Sequence, residues 1–169
     1  MTFNFSSELT QSTLLSMRHS HTSRYCVLQN EKYTWLTLDN VVHSVMDNQI
    51  HHKLLLPHLH TVGLLVDAEY APKKILELGL GGGSLFRFCK QYFPKSHFTC
   101  VEHDPLIIDF FNEFFNPEQY DIDIQLDDAC RFIHADNNQY DWILVDLYGI
   151  NQAPAFLTEV DFYHALSKR

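Results

Sequence analysis

Hydrophobic and polar positions change rhythm twice along this chain. Residues 1–24 are rich in Ser, Thr and other polar side chains. They carry one stretch of helical spacing, over 9–17, that predicts a short helix. From 25 to 46 short runs of β-formers alternate with turn residues. Tyr25-Cys26-Val27-Leu28 is followed by Asn30-Glu31-Lys32, and the run from Tyr33 to Leu38 by Asp39-Asn40 and then Val41 to Val45. This predicts a three-stranded antiparallel meander. Residues 51–67 are mostly apolar with helical spacing, and Pro57 suits only a first turn or a break.

From residue 74 a second rhythm begins. Strands are expected over 74–78, 97–102, 122–126 and 142–146. Helices are expected over 84–93, over 105–115 with Pro105 at the first position, over 129–134, and from 159 to 167. Strands alternating with helices imply a parallel sheet with right-handed crossovers. The fold class is therefore α/β: a Rossmann-like, methyltransferase-type parallel sheet over 51–169, preceded over 1–50 by a lead-in and a small antiparallel β meander.

Composition narrows the partners. The 169 residues are 46% hydrophobic and carry a formal charge of −9, with 12 basic against 21 acidic side chains. A hydrophobic share of that size supports a packed core. The negative balance argues against a nucleic-acid backbone as partner and fits a small-molecule ligand. No apolar run is long enough to span a bilayer, so no membrane partner is expected. Cys26, Cys89, Cys100 and Cys130 form no C-x-x-C pair. Scattered thiols of this kind read as a reduced, cytoplasmic protein.

Candidate chemistry gathers where the strands end. The strand over 74–78 carries Glu77 and runs into Gly79, Gly81 and Gly83 ahead of a helix. Glycines let the backbone approach a ligand, and a helix start points free N–H groups at the same crevice. Glu102 closes the next strand, 19 residues after Gly83 (102 minus 83). An acidic group there accepts hydrogen bonds from ribose hydroxyls and repels a 2′-phosphate, which disfavours NADP. Ser84 stands where an NAD fingerprint wants Gly or Ala. Glu77 and Asp127-Asp128-Ala129 suit S-adenosylmethionine better: an acid after the third strand takes the adenine amino group. Asp146, ending the fourth strand, faces the cationic end of such a ligand.

Other constellations read as structural. His51, His52, His58 and His60 do not share one helical face and have no Cys or paired carboxylate beside them, so no metal is expected. The phenylalanines at 86, 88, 110, 111, 114 and 115 have helical spacing and read as core. Tyr148 is either a pocket wall or an acid/base group.

With these residues in view, the chain resembles the spermidine synthase (polyamine aminopropyltransferase) family within the class I methyltransferase fold. The resemblance runs from about Arg24 onward. It rests on Leu38-Asp39-Asn40-Val41-Val42-His43, the glycine loop, Val101-Glu102-His103-Asp104-Pro105, Asp128-Ala129, Tyr140 to Asp146, and Phe162-Tyr163. It implies that S-adenosylmethionine or its decarboxylated form is the co-substrate. Glu102 would hold the ribose, Asp128 and Ala129 the adenine, and Asp146 would line the active-site mouth. His43, His51 and His52 would flank the acceptor, a small molecule such as an amine. The family pattern also implies a homo-oligomer, usually a dimer.

The chain departs from that pattern in places. Gly149 and Gly81 stand where the resemblance expects aspartates, Lys53 stands where it expects an acid, and the final strands of the family are not in the sequence. In the expected strand order 3-2-1-4-5 the fourth strand then lies at an edge, which a second chain or a further segment would cover. Two functions follow: an aminopropyl or methyl transferase, or a catalytically degenerate homologue that acts through dimerisation.

Overall fold

The computed structural model describes residues 5–21, 23–67, 71–148 and 153–169. After a short helix α1 (Phe5–Glu8), the first sheet is formed by β1 (Thr13–His19), β2 (Arg24–Gln29), β3 (Tyr33–Leu38) and β4 (Val41–Asp47). Its order is β1-β2-β3-β4, antiparallel throughout. The meander therefore has four strands, and the helix expected over 9–17 is instead β1. Leu14, Leu15 and Met17 are spaced for a helix, but pairing with β2 from Thr13↔Gln29 to His19↔Arg24 satisfies the backbone as strand, with an irregularity between Leu14 and Ser16. Tertiary pairing overrides a weak local preference here.

An 11-residue 3-10 helix (Pro57–Asp67) takes the place of the α-helix expected over 51–67, with Pro57 at its first position. The second sheet follows. It comprises β5 (Lys74–Leu78), α2 (Ser84–Tyr92), β6 (His97–Glu102), α3 (Pro105–Phe110), a π-helical turn (Phe111–Phe115), β7 (Asp123–Leu126), α4 (Ala129–Ala135), β8 (Trp142–Val145) and α5 (Val160–Leu166). The strand order is β7-β6-β5-β8, all parallel, which is the expected 3-2-1-4. Among the described residues β8 is an edge. The helix expected over 105–115 tightens its register as α and then widens to π at Phe111.

Strand alternation decides what each face of this sheet meets. Leu76, Leu78 and Val101 pack with Ala129, Ile133, Phe162 and Ala165 of α4 and α5. Ile75 points the other way, into the larger core shared by the meander and α2, where Trp35 and Leu36 meet Phe86, Phe110, Phe111 and Phe115. The phenylalanines of helical spacing are thus core. Phe86, Phe110, Phe111 and Phe115 are all fully buried, each worth about 1.5–3 kcal/mol in removal from water. This packing seats the meander over the C-terminal rim of the parallel sheet.

Candidate active site

The rim begins with the turn after β5. Gly79 has φ +94, and an added Cβ would lie 2.3 Å from the Asp146 carbonyl oxygen. The close approach comes from the Asp146 amide, which donates to the Leu78 carbonyl at 2.9 Å and continues the β5–β8 pairing one step beyond β8. Gly83 has φ +66 and precedes α2 in a left-handed conformation, with a Cβ position 2.3 Å from the Phe111 ring. Between them the turn is braced from two sides. The Gly82 amide donates to Ser44 Oγ of β4 at 2.8 Å. The buried Arg87 guanidinium donates to the carbonyls of Gly82, Phe115 and His51, the last at 2.8 Å. Burial pushes its pKa down to about 10.

Two cavities open beside this turn. One, of about 560 Å³, runs along Gly79, Gly81, Glu102, His103, Asp104, Asp127, Asp128 and Ala129, and reaches Tyr25 of the meander. The other, of about 610 Å³, is walled by Leu38, Val41, Val42, Leu56, Leu59 and Leu80, and contains His58, Ser44 and Glu77. Leu38, His43, Gly81, Asp146 and Tyr148 line both and mark their junction. Each volume lies in the range of small-ligand sites.

Glu102 is held in the first of these cavities by its neighbours' amides. Its Oε2 accepts from Leu80 N at 3.0 Å, and its Oε1 from His103 N and Asp104 N at 2.8 and 3.0 Å. Burial raises its pKa, but the His103 side chain and these amides outweigh burial and hold the carboxyl below the ordinary value. Asp128 caps α4, accepting from Arg131 N at 2.9 Å, so its carboxylate sits at the start of that helix next to Ala129. Asp104 caps α3 by accepting from Leu106 N at 2.9 Å, and receives the Tyr25 hydroxyl at 2.5 Å.

The junction is titratable. Asp146 lies 3.8 Å from His58 Nε2. Burial raises the Asp146 carboxyl, while His58 and His43 pull it back. Burial holds the His43 imidazole below its ordinary value, which keeps it neutral, although Glu102, Asp146 and Asp104 oppose that. Glu77 is 1% exposed. Burial and the neighbouring Asp146 push its carboxyl well up, with Arg87 opposing.

The expected site residues therefore divide. Gly79, Gly81, Glu102, Asp128, Ala129, Asp146 and His43 line the 560 Å³ cavity, and Tyr148 lies at its mouth, 64% exposed. Glu77 lines only the other cavity, because it shares a strand face with Ile75. Gly83 serves the turn and lines neither. His51 and His52 also lie outside both. His51 Nδ1 meets Glu118 at 2.5 Å and its Nε2 faces the Asn48 carbonyl, while His52 stacks edge-on to Tyr92. Gly149 is outside the described residues. His58 and Ser44 line the 610 Å³ cavity and His103 and Tyr25 the 560 Å³ one, places that spacing does not predict for them. Only His103 carries a local signal, as the residue after Glu102. Among the described residues no three His, Cys, Asp or Glu side chains are placed to hold a metal ion, and no helix is long and apolar enough to cross a membrane.

The Spermine/spermidine synthase domain matches residues 50–169. The chain belongs to this family. A polyamine aminopropyltransferase from Oceanobacillus iheyensis is 28% identical over 157 residues, covering 87% of this chain and 29% of that protein. The structure of a probable spermidine synthase from Corynebacterium glutamicum superposes with a TM-score of 0.76 at 20% identity, over 90% of this chain and 59% of that one. Human methyltransferase-like protein 13, solved in complex with SAH, superposes with a TM-score of 0.50 at 28% identity, over 63% of this chain and 52% of that one. The spermidine synthase family chain described here thus spans well under half the length of the curated relatives it matches.

Proposed function

We propose that this chain seats an adenosyl sulfonium, S-adenosylmethionine or its decarboxylated form, in the 560 Å³ cavity, and transfers an aminopropyl or methyl group from it to a small-molecule acceptor in the 610 Å³ cavity. The carrying observation is that Glu102 and Asp128 line one crevice that opens, at His43 and Asp146, into a second. The co-substrate fits the residues present. Glu102, held ionised, accepts from the two ribose hydroxyls, and Asp128 beside the small Ala129 takes the adenine amino group. Family membership and relatives that are polyamine aminopropyltransferases support the same reading, as does a neighbour solved with SAH.

A sulfonium supplies an electrophilic carbon and departs as a neutral thioether. The acceptor nitrogen forms the new bond with its lone pair, the carbon–sulfur bond breaks, and its electron pair stays on sulfur. The chain's own task is to align the acceptor with that carbon and to take up the proton the nitrogen releases. His43, neutral and at the junction, is a proton acceptor in place for this. Asp146 stabilises cationic charge beside it. Tyr148 closes the mouth as a wall.

Calorimetric titration tests this. S-Adenosylmethionine, its decarboxylated form and methylthioadenosine are titrated into the wild type and into Glu102→Ala. Saturable binding of at least one, lost in the variant, is expected. No binding of any adenosyl ligand to the wild type overturns the reading.

A further inference from the structure

The cavity on the acceptor side has an uneven chemistry. Among the described residues, Glu77 and Asp146 are its only carboxylates. They lie at one place. Glu77 pairs with Leu144 in the β5–β8 register, and Asp146 is two residues beyond Leu144, so both carboxylates leave the sheet on the same face. Glu77 is 1% exposed, and its Oε2 has no hydrogen-bond partner among the described residues. A buried polar atom without a partner is costly, and in a cavity wall it points to a ligand group that satisfies it. The meander and the segment before the sheet contribute Leu38, Val41, Val42, Leu56, Pro57 and Leu59 together with His43, Ser44 and His58, and no carboxylate that would pair with a second ammonium.

We propose that this cavity takes an amine with one basic nitrogen and an apolar body, its nitrogen held by Glu77 beside Asp146, in preference to an extended diamine. This rests on the assignment of the two cavities given above. The nitrogen satisfies the orphaned Glu77 oxygen. Its positive charge also opposes the burial and the Asp146 field that push the Glu77 carboxyl well up, and so favours the ionised form of Glu77 when the amine is bound. The body of the molecule displaces water from Leu and Val surfaces, which stabilises binding in proportion to the apolar area covered. A diamine of the same length leaves its second ammonium among these side chains without a counter-charge, and a buried unpaired charge is strongly disfavoured.

Hexylamine and hexane-1,6-diamine have the same carbon chain and test this directly. Each is titrated calorimetrically into the full chain, free and saturated with methylthioadenosine. Hexylamine is expected to bind at least about tenfold more tightly, equivalent to ~1.4 kcal/mol. Glu77→Gln is expected to weaken hexylamine at least about tenfold, since it removes the charge and keeps the shape. Val41→Glu guards against misfolding of the buried variant. Val41 is 46% exposed and lines the cavity, so a carboxylate there is tolerated and is expected to tighten the diamine about fivefold or more by supplying the missing counter-charge. Diamine binding equal to or tighter than hexylamine in the wild type overturns the inference, and so does failure of both amines to bind. Amine preference without methylthioadenosine binding sinks the adenosyl assignment alone. Methylthioadenosine binding without the amine preference sinks this inference alone.

Discussion

The Leu80 amide and the Glu102 carboxylate are joined at 3.0 Å across the ends of adjacent strands, although 22 residues separate them in the chain. One carboxylate thereby fixes the glycine turn of β5 and the start of the α3 segment together. Replacing Glu102 by Ala leaves three amides, those of Leu80, His103 and Asp104, without their acceptor. The expected cost is about 1–3 kcal/mol of stability, read from urea unfolding. Glu102→Gln keeps one acceptor oxygen and is expected to lose less stability while still losing adenosyl-ligand affinity by about tenfold or more.

Asp128 separates structure from binding in the same way. Asp128→Asn retains a helix-capping oxygen for the Arg131 amide, so its melting temperature is expected to stay within about 2 °C of wild type. Its affinity for methylthioadenosine is expected to fall, because the adenine amino group loses an anionic acceptor. Asp128→Ala is expected to lose both, with about 0.5–2 kcal/mol of stability. Equal ligand affinity in Asp128→Asn and wild type counts against the adenine assignment.

Gly79 admits no side chain. Ala at this position combines a positive φ with a Cβ 2.3 Å from a main-chain oxygen of Asp146. Gly79→Ala is expected to destabilise by about 2–5 kcal/mol and to disturb β8 first. The check is hydrogen exchange at Ile143 and Leu144, which should speed up before β6 is affected.

The Glu102–His103 pair gives the stability a pH window. His103 Nδ1 lies 3.1 Å from Glu102 Oε1, and hydrogen bonding to that carboxylate raises the His103 pKa from 6.5. A raised histidine contributes fully below its unfolded value and loses that contribution as pH rises through the folded one. Glu102 is lowered from 4.5, so its contribution is present above that value and is lost as pH falls through the folded one. The pair therefore contributes most between 4.5 and 6.5. The melting-temperature difference between wild type and His103→Asn is expected to be largest near pH ~5.5 and to vanish above pH ~8. His103 is largely exposed, so the difference should be small and should shrink in salt.

The parallel sheet and its rim are legible in the sequence because their signals are strong and local. β5, β6 and β8 are short, mostly apolar runs, the glycines follow the first of them, and Glu102 and Asp128 sit at chain positions that topology alone brings to one rim. The meander is legible from its turns, Asn30-Glu31-Lys32 and Asp39-Asn40. β1 is not, because Leu14, Leu15 and Met17 carry no alternation and become strand only through β2. The acceptor side is harder still. Glu77 looks like a partner of the glycine loop until the alternation of β5 turns it toward the other cavity. His51 looks like a site residue until Glu118, 67 residues further on, is found beside it. His58 reaches Asp146 only through the fold of the 3-10 segment, for which no sequence spacing is diagnostic.

Arg87 has a consequence for how a nucleotide would be received. Its guanidinium rivets the carbonyl of Gly82 to two segments remote in the chain, at His51 and Phe115. A glycine-rich turn left alone samples many conformations and must be ordered by whatever docks on it. Here that ordering is completed when the chain folds, so the seat stands assembled before any guest arrives and cannot soften without loosening the aromatic core behind it.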